Sequence, residues 1–305
     1  MMSFDYLTLA QLLVSGISVG MIYGVIAFGY QLTFATSSTL NFGQGEALML
    51  GSLVGYTIVT QIGTWFGLPI LVSYILMLPF VLAFGMLQGA VVERLGVRRA
   101  IKTKSEAGWI MATIALGIIF KNLAENIWGR DTFPFPSPLS DNAIQVMGVR
   151  ILPMELLIVC GAIALMAAIE LFNRRSIYGK AVVATAADIG AAGLMGVNTA
   201  QVITLSYALS SMTAAFAGVL VAPVTLTGAG LGGALGLKAF AVAIIGGLNS
   251  GVGVVVGGIL LGITDRLTGY YISSGYQDVP GLVILLLVLS FKPSGLFGRR
   301  AIKKV

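Results

Sequence analysis

Histidine is absent from the 305-residue chain, cysteine occurs once, and charged side chains make up only 10% of it. Without histidine, the side chain that most often serves as general base and metal ligand is missing. A single cysteine can close no disulfide within the chain and can build no thiolate cluster. Cys160 sits in the run LLIVCGAIAL and is expected to be a buried structural thiol. Motifs for hydrolysis and metal binding are missing as well. There is no GxxxxGK[ST] loop to cradle phosphates, no GxSxG elbow, and neither CxxC nor HExxH. No catalytic or metal-ligating residue is assigned, and any ATP-driven process would need its nucleotide site on another subunit.

The scarcity of charge sets the class. Soluble domains carry about 25% charged residues because something must face water. Here 57% of residues are hydrophobic and mean hydropathy is +0.96, so lipid is the fitting solvent. A net charge of +6 could suggest nucleic acid, but the cations flank apolar runs and are not interleaved with aromatics on a soluble face.

A spanning helix needs about 20 apolar residues to cross about 30 Å of hydrocarbon. That ruler gives nine passes, at roughly 9–34, 42–62, 66–92, 107–128, 153–173, 200–223, 233–248, 251–272 and 279–292. The seventh and ninth are short, which leaves open eight complete passes and a broken or re-entrant half-helix. The expected fold is an all-α polytopic membrane protein of about 8–9 transmembrane helices, one domain over residues 1–305. Three basic clusters orient it: Arg94, Arg98, Arg99, Lys102 and Lys104; Arg174, Arg175 and Lys180; and Lys292, Arg299, Arg300, Lys303 and Lys304. The segments on the other side carry only Arg130, Arg150 and Arg266. Positive loops stay in the cytoplasm, which places the C-terminus inside and the N-terminus outside. The start, MMSFDYLT, has no basic stretch and no cleavage site after it, so the first helix is expected to stay.

The outer loop 129–152, with prolines at alternate positions from Pro134, reads as an extended connector. Two polar interruptions, NFGQGE at Asn41–Glu46 and GGLNSG at Gly246–Gly251, break otherwise apolar segments. Each follows a long span and belongs to one of two halves, about 9–128 and 200–292, that would form an inverted-topology repeat with the pathway between them. Asn41, Gln44, Glu46, Lys238 and Asn249 are the candidate pathway residues. Glu46 could equally hold a helix start, where a carboxylate suits the positive dipole end, and Lys238, in the pseudo-equivalent place, could snorkel. Lys121 and Glu125 are expected to pair on one helix face, and Asp265-Arg266 to lie at the outer interface. The inner segment 174–199 contains an Ala-rich helical stretch bounded by Gly179 and Gly196. Its Val182, Val183, Leu194 and Met195 suit a partner's groove, or the lipid surface, better than water.

Several segments resemble, in order along the chain, the branched-chain amino-acid ABC importer permeases of the LivH type. Leu40 to Glu46 is similar to that family's NFAHGE or NFAQGE element, and Gly179-Lys180 through Gly196-Val197-Asn198 to its coupling loop. Leu237 to Ala241, Gly246 to Ser250 and the terminal Lys292 to Gly298 also match. Val183 and Gly190 depart from the pattern, standing where a basic and an acidic residue are usual. The resemblance implies an ATP-driven importer of two permeases, here pairing with a second, homologous and different chain, two cytoplasmic ATPases and a periplasmic binding protein, in the bacterial inner membrane. Gly179, Lys180, Asp188, Leu194 and Gly196 would then couple to the ATPases, which would bind the ATP and magnesium; this chain would hold no cofactor. Leucine, isoleucine and valine are the implied cargo, with urea, short amides and nucleosides as alternatives within the family. An ion-coupled secondary transporter is the rival from another class and would need a group such as Glu46 near the midplane. A membrane-embedded enzyme is disfavoured by the catalytic inventory.

Overall fold

The computed structural model describes residues 6–103, 107–140, 142–146 and 148–298. Lys104, Arg299, Arg300, Lys303, Lys304 and the side chain of Lys102 lie outside that description, as do residues 1–5 of the N-terminal expectation. In chain order the helices are α1 (Tyr6–Ser37), α2 (Gln44–Tyr56), α3 (Gly63–Trp65), α4 (Ile70–Val92), α5 (Arg98–Lys102), α6 (Gly108–Trp128) and α7 (Pro153–Arg175). They continue with α8 (Ile177–Ala187), α9 (Ile189–Leu194), α10 (Thr199–Val221), α11 (Leu231–Gly246), α12 (Gly251–Tyr271) and α13 (Val279–Phe291). Wider π-type turns, Thr57–Ile62 and Glu93–Val97, join α2 to α3 and α4 to α5.

Among the described residues, eight helical segments are long and apolar enough to cross a membrane. The seventh expected pass is the exception: α11 has 16 residues and reaches only about 24 Å. The ninth qualifies because a short 3₁₀ turn extends it to Ser274–Phe291.

Helices α1 and α10 form the centre. They are apolar all round and mostly buried, as a helix enclosed by others must be. They run antiparallel, since Tyr207 near the start of α10 bonds Thr39 just beyond the end of α1, while Ser210 and Thr213 lie beside Gly29. The outer helices α6, α7 and α13 are apolar and largely exposed, which is a lipid-facing pattern. Cys160 belongs to that layer: it is exposed on α7, not buried, because α7 packs inward through Met154, Ile158, Ala162 and Ile169. Small residues allow close helix contacts. A Cβ on Gly20 of α1 would lie 2.7 Å from the Ile259 Cα of α12, so only backbone-to-backbone approach fits there.

The two central helices are packed in matching ways. Helix α1 lies along α12, and α10 along α4, each pair antiparallel: Gly16 meets Ile263 and Gly24 meets Val255, while Gly85 meets Met212 and Gly89 meets Tyr207. Helix α2 leans on α10 as α11 leans on α1, and the starts of α2 and α11 touch each other through Gly45 and Gly232.

Loop 129–152 is extended, but more ordered than a connector. Strand β1 (Phe133–Pro134) pairs antiparallel with β4 (Leu226–Thr227) from the loop after α10, and β2 (Ile144–Val146) forms a hairpin with β3 (Val149–Ile151). Tyr74 donates to the Pro136 carbonyl at 2.7 Å, and Phe135 packs between Tyr56 and Tyr74. This end of the bundle is therefore stitched across its top.

Candidate functional site

At the opposite end, the segment between α7 and α10 folds as two helices rather than one. Asp188 is extended, with φ −160°, and its Oδ1 accepts from the amides of Gly190 and Ala191, both at 2.9 Å. It thereby ends α8 and caps α9, satisfying two amides that have no partner within the helix. Gly196 closes α9 at φ +87°, a left-handed conformation, with Val197 N donating to Ala192 O at 3.0 Å. Gly179 is not the start of the helix. It lies inside α8, buried where that helix crosses Phe172 and Asn173 of α7, so its lack of a side chain allows the corner.

Helix α8 turns Val182 and Thr185 inward and exposes Val183 and Lys180. Leu194 and Met195 at the tip of α9 are 91% and 85% exposed. Two large apolar side chains thus stand clear of the protein at this tip.

The polar interruption after α1 is a buried knot. Asn41 and Gln44 have no exposed surface. Asn41 Nδ2 donates to Ser211 Oγ at 3.2 Å, and its Oδ1 accepts from Gly43 N at 3.0 Å. Gln44 Nε2 donates to the Ser210 carbonyl at 2.8 Å, while its Oε1 accepts from Ser210 Oγ at 3.0 Å. These two residues fasten the start of α2 to α10 and, in this conformation, line no path. Glu46 is half-buried with its carboxylate against Gly117 of α6. Asn249 is exposed in the turn between α11 and α12, away from the bundle interior. That turn is bridged by the C-terminal segment: Leu296 N donates to Ile245 O at 2.8 Å and Phe297 N to Gly246 O at 3.1 Å. Backbone groups freed by the broken helix are thus paired by protein, as a low-dielectric setting demands.

Lys238 departs from expectation, with Asp265 as its partner. Lys238 does not snorkel: its Nζ lies 2.7 Å from Asp265 Oδ2 and 2.7 Å from Asp278 Oδ1, and 3.4 Å from Tyr23 Oη. Asp265 is 4% exposed, and Tyr23 Oη also donates to its Oδ2 at 3.1 Å. One cation therefore ties α1, α11, α12 and the start of α13. Lys238 is also not the counterpart of Glu46. It is the eighth residue of α11, whereas Glu46 is the third of α2. The expected Lys121–Glu125 contact is present at 4.0 Å, with Arg130 closer to the same carboxylate at 3.1 Å.

A second polar cluster had no sequence signal at α-helical spacing. Glu93, 2% exposed, takes a bidentate pair from Arg98 at 3.0 and 2.9 Å, and Thr204 donates to it at 2.8 Å. The five-residue spacing closes only because the chain between them is π-helical.

Above Lys238 a cavity of about 290 Å³ opens, lined in part by Ser18, Tyr23, Glu155, Asp265, Arg266 and Gln277. It shares Ser15, Glu155 and Arg266 with a wider cavity of about 720 Å³ that reaches Arg150 and Leu152 at the stitched end. A funnel thus opens from the stitched end, mostly apolar but carrying Glu155, Arg266 and Asp265 on its wall.

Eight spans among the described residues, with broken helices sealed by protein, define a polytopic α-helical membrane protein. The chain belongs to the family described as branched-chain amino acid transport system / permease component, whose model matches residues 12–290. It is 30% identical over 315 aligned residues to the "high-affinity branched-chain amino acid transport system permease protein LivH" of Salmonella typhimurium, covering 100% of both chains. The BraD permease of Pseudomonas aeruginosa, with the corresponding description, is 29% identical, with 97% of each chain covered. A probable LivH of Methanocaldococcus jannaschii is 26% identical over 90% of this chain and 88% of its own.

Proposed function

We propose that this chain is the membrane-spanning subunit of an ATP-driven importer for leucine, isoleucine and valine. The end bearing Arg94, Arg98, Arg174 and Arg175 is cytoplasmic under the positive-inside rule, so the stitched end faces outward and the protein sits in the bacterial inner membrane. Antiparallel contact between α1 and α10 then runs the first helix from outside to inside. The matched packing of α1–α2–α4 and α10–α11–α12 supports an inverted repeat of halves 9–128 and 200–292.

The observation that carries the reading is the exposed apolar tip of α8–α9, on a chain without a nucleotide loop and within this permease family. Leu194 and Met195 would enter a groove on a soluble ATPase, with Asp188 and Gly196 fixing the tip's shape and Lys180 at its edge. ATP and magnesium would be bound by two such partners. A second permease subunit would complete the path, and a binding protein would dock on the strands at the outer end. Closing of the ATPases would move α8–α9 and, through α10, the buried knot at Asn41 and Gln44. Reconstitution with the three partner types tests this. Uptake of leucine should require ATP hydrolysis; uptake driven by a proton or sodium gradient alone would refute the reading.

A further inference from the structure

The funnel that ends on Lys238 contains two groups left over from the ion pairing around it. Asp265 gives its Oδ2 to Lys238 and Tyr23, but its Oδ1 is buried and finds no hydrogen-bond partner among the described residues. Arg266, next along α12 and lining the same cavity, forms no ion pair among the described residues. An unpaired carboxylate oxygen at this burial is costly, and the half-buried Arg266 on the cavity wall has its charge free to take an anion. Glu155 contributes a second carboxylate on the facing wall; one of its oxygens accepts from Leu152 N at 3.1 Å.

We infer that this cavity is a transient binding site for a zwitterion, taking an ammonium group between Asp265 and Glu155 and a carboxylate on Arg266. A single-signed ligand would satisfy one leftover group and worsen the other, whereas a zwitterion answers both. The volume, about 290 Å³, is at the small end for ligand sites, which suits a free amino acid and excludes a peptide of any length. Ser15, Ser18, Ile22, Ile158 and Val221 complete the wall with small and aliphatic surface, so the side chain of the ligand meets little that would select it. The site reads the backbone of the amino acid. This rests on the importer reading and narrows it: urea, amides and nucleosides lack the paired charges.

The test uses the full complex in nanodiscs, with Cys160→Ser and Ser15→Cys as background. A membrane-impermeant thiosulfonate added from outside should modify Cys at position 15. Millimolar leucine or glycine should slow that modification several-fold, while leucinamide and urea should not. Arg266→Gln should raise the leucine concentration needed for protection about tenfold, the usual loss when a charge-assisted contact is removed, and Arg266→Lys should recover part of it. Equal protection by urea or leucinamide, no protection by any zwitterion, or no labelling at position 15 would each overturn the site. ATP-dependent leucine uptake is read separately, on the complex that retains Ser15. Its absence there would count against the importer reading.

Discussion

At the residue scale, the polar side chains inside the bundle divide into those that hold it together and those with something left to give. Asn41 and Gln44 are of the first kind: every polar atom of the pair is used against α10 or the local turn. Gln44→Ala should leave the Ser210 hydroxyl without its acceptor in a buried setting, a loss of about 1–3 kcal/mol. Thermal unfolding of the detergent-solubilised chain should show it as a lower midpoint. Lys238 is a harder case, because its removal strands a buried carboxylate. Lys238→Met alone should destabilise the protein by about 3–5 kcal/mol, and Asp265→Leu added to it should restore most of that. A double variant no more stable than the single would mean the pair is not the source of the loss.

Among the elements, the α8–α9 corner is the one whose shape and exposure most clearly point outward from the chain. Its fold is local: Asp188 caps, Gly196 turns, Gly179 lets α8 cross α7. Its stability should therefore be insensitive to changes at the exposed tip. Leu194→Asp should leave the melting temperature within a degree or two, yet cut ATP-driven uptake at least about tenfold, since an apolar interface anchor is worth about 2 kcal/mol or more. Co-purification of the ATPases should fall in parallel. The α1–α12 contact behaves oppositely. Gly20→Leu would force two closely packed backbones apart, and should abolish the folded monodisperse peak in size-exclusion chromatography.

For the whole molecule, the outer end is tied by β1–β4 and the other end by the C-terminal segment against the α11–α12 turn. If the outer end must part for cargo to enter, a tether there should stop transport. Phe133 and Thr227 are directly opposed in the ladder, at a separation of about 4.5–5.5 Å that a disulfide can bridge. Phe133→Cys with Thr227→Cys, in a Cys160→Ser background, should lose uptake under oxidation and regain it with dithiothreitol, with basal ATPase activity retained. Undiminished uptake by the oxidised pair would show that this seam stays closed during the cycle.

Composition alone determined the solvent, because hydropathy and charge are sums over residues and need no contacts; the lengths of the apolar runs gave the all-α class. The clusters of arginine and lysine and the motifs at Asn41–Glu46 and Gly179–Asn198 were likewise legible as local strings. Tertiary structure decided what those strings do. It buried Asn41 and Gln44 that had read as path residues, exposed Cys160, and brought Lys238 to Asp265 and Glu93 to Arg98. Helical periodicity reports only which residues of one helix share a face. Which helix that face meets, and whether a π turn shifts it by a residue, follows from packing between segments distant in sequence, and a partner 27 positions away leaves no periodic trace.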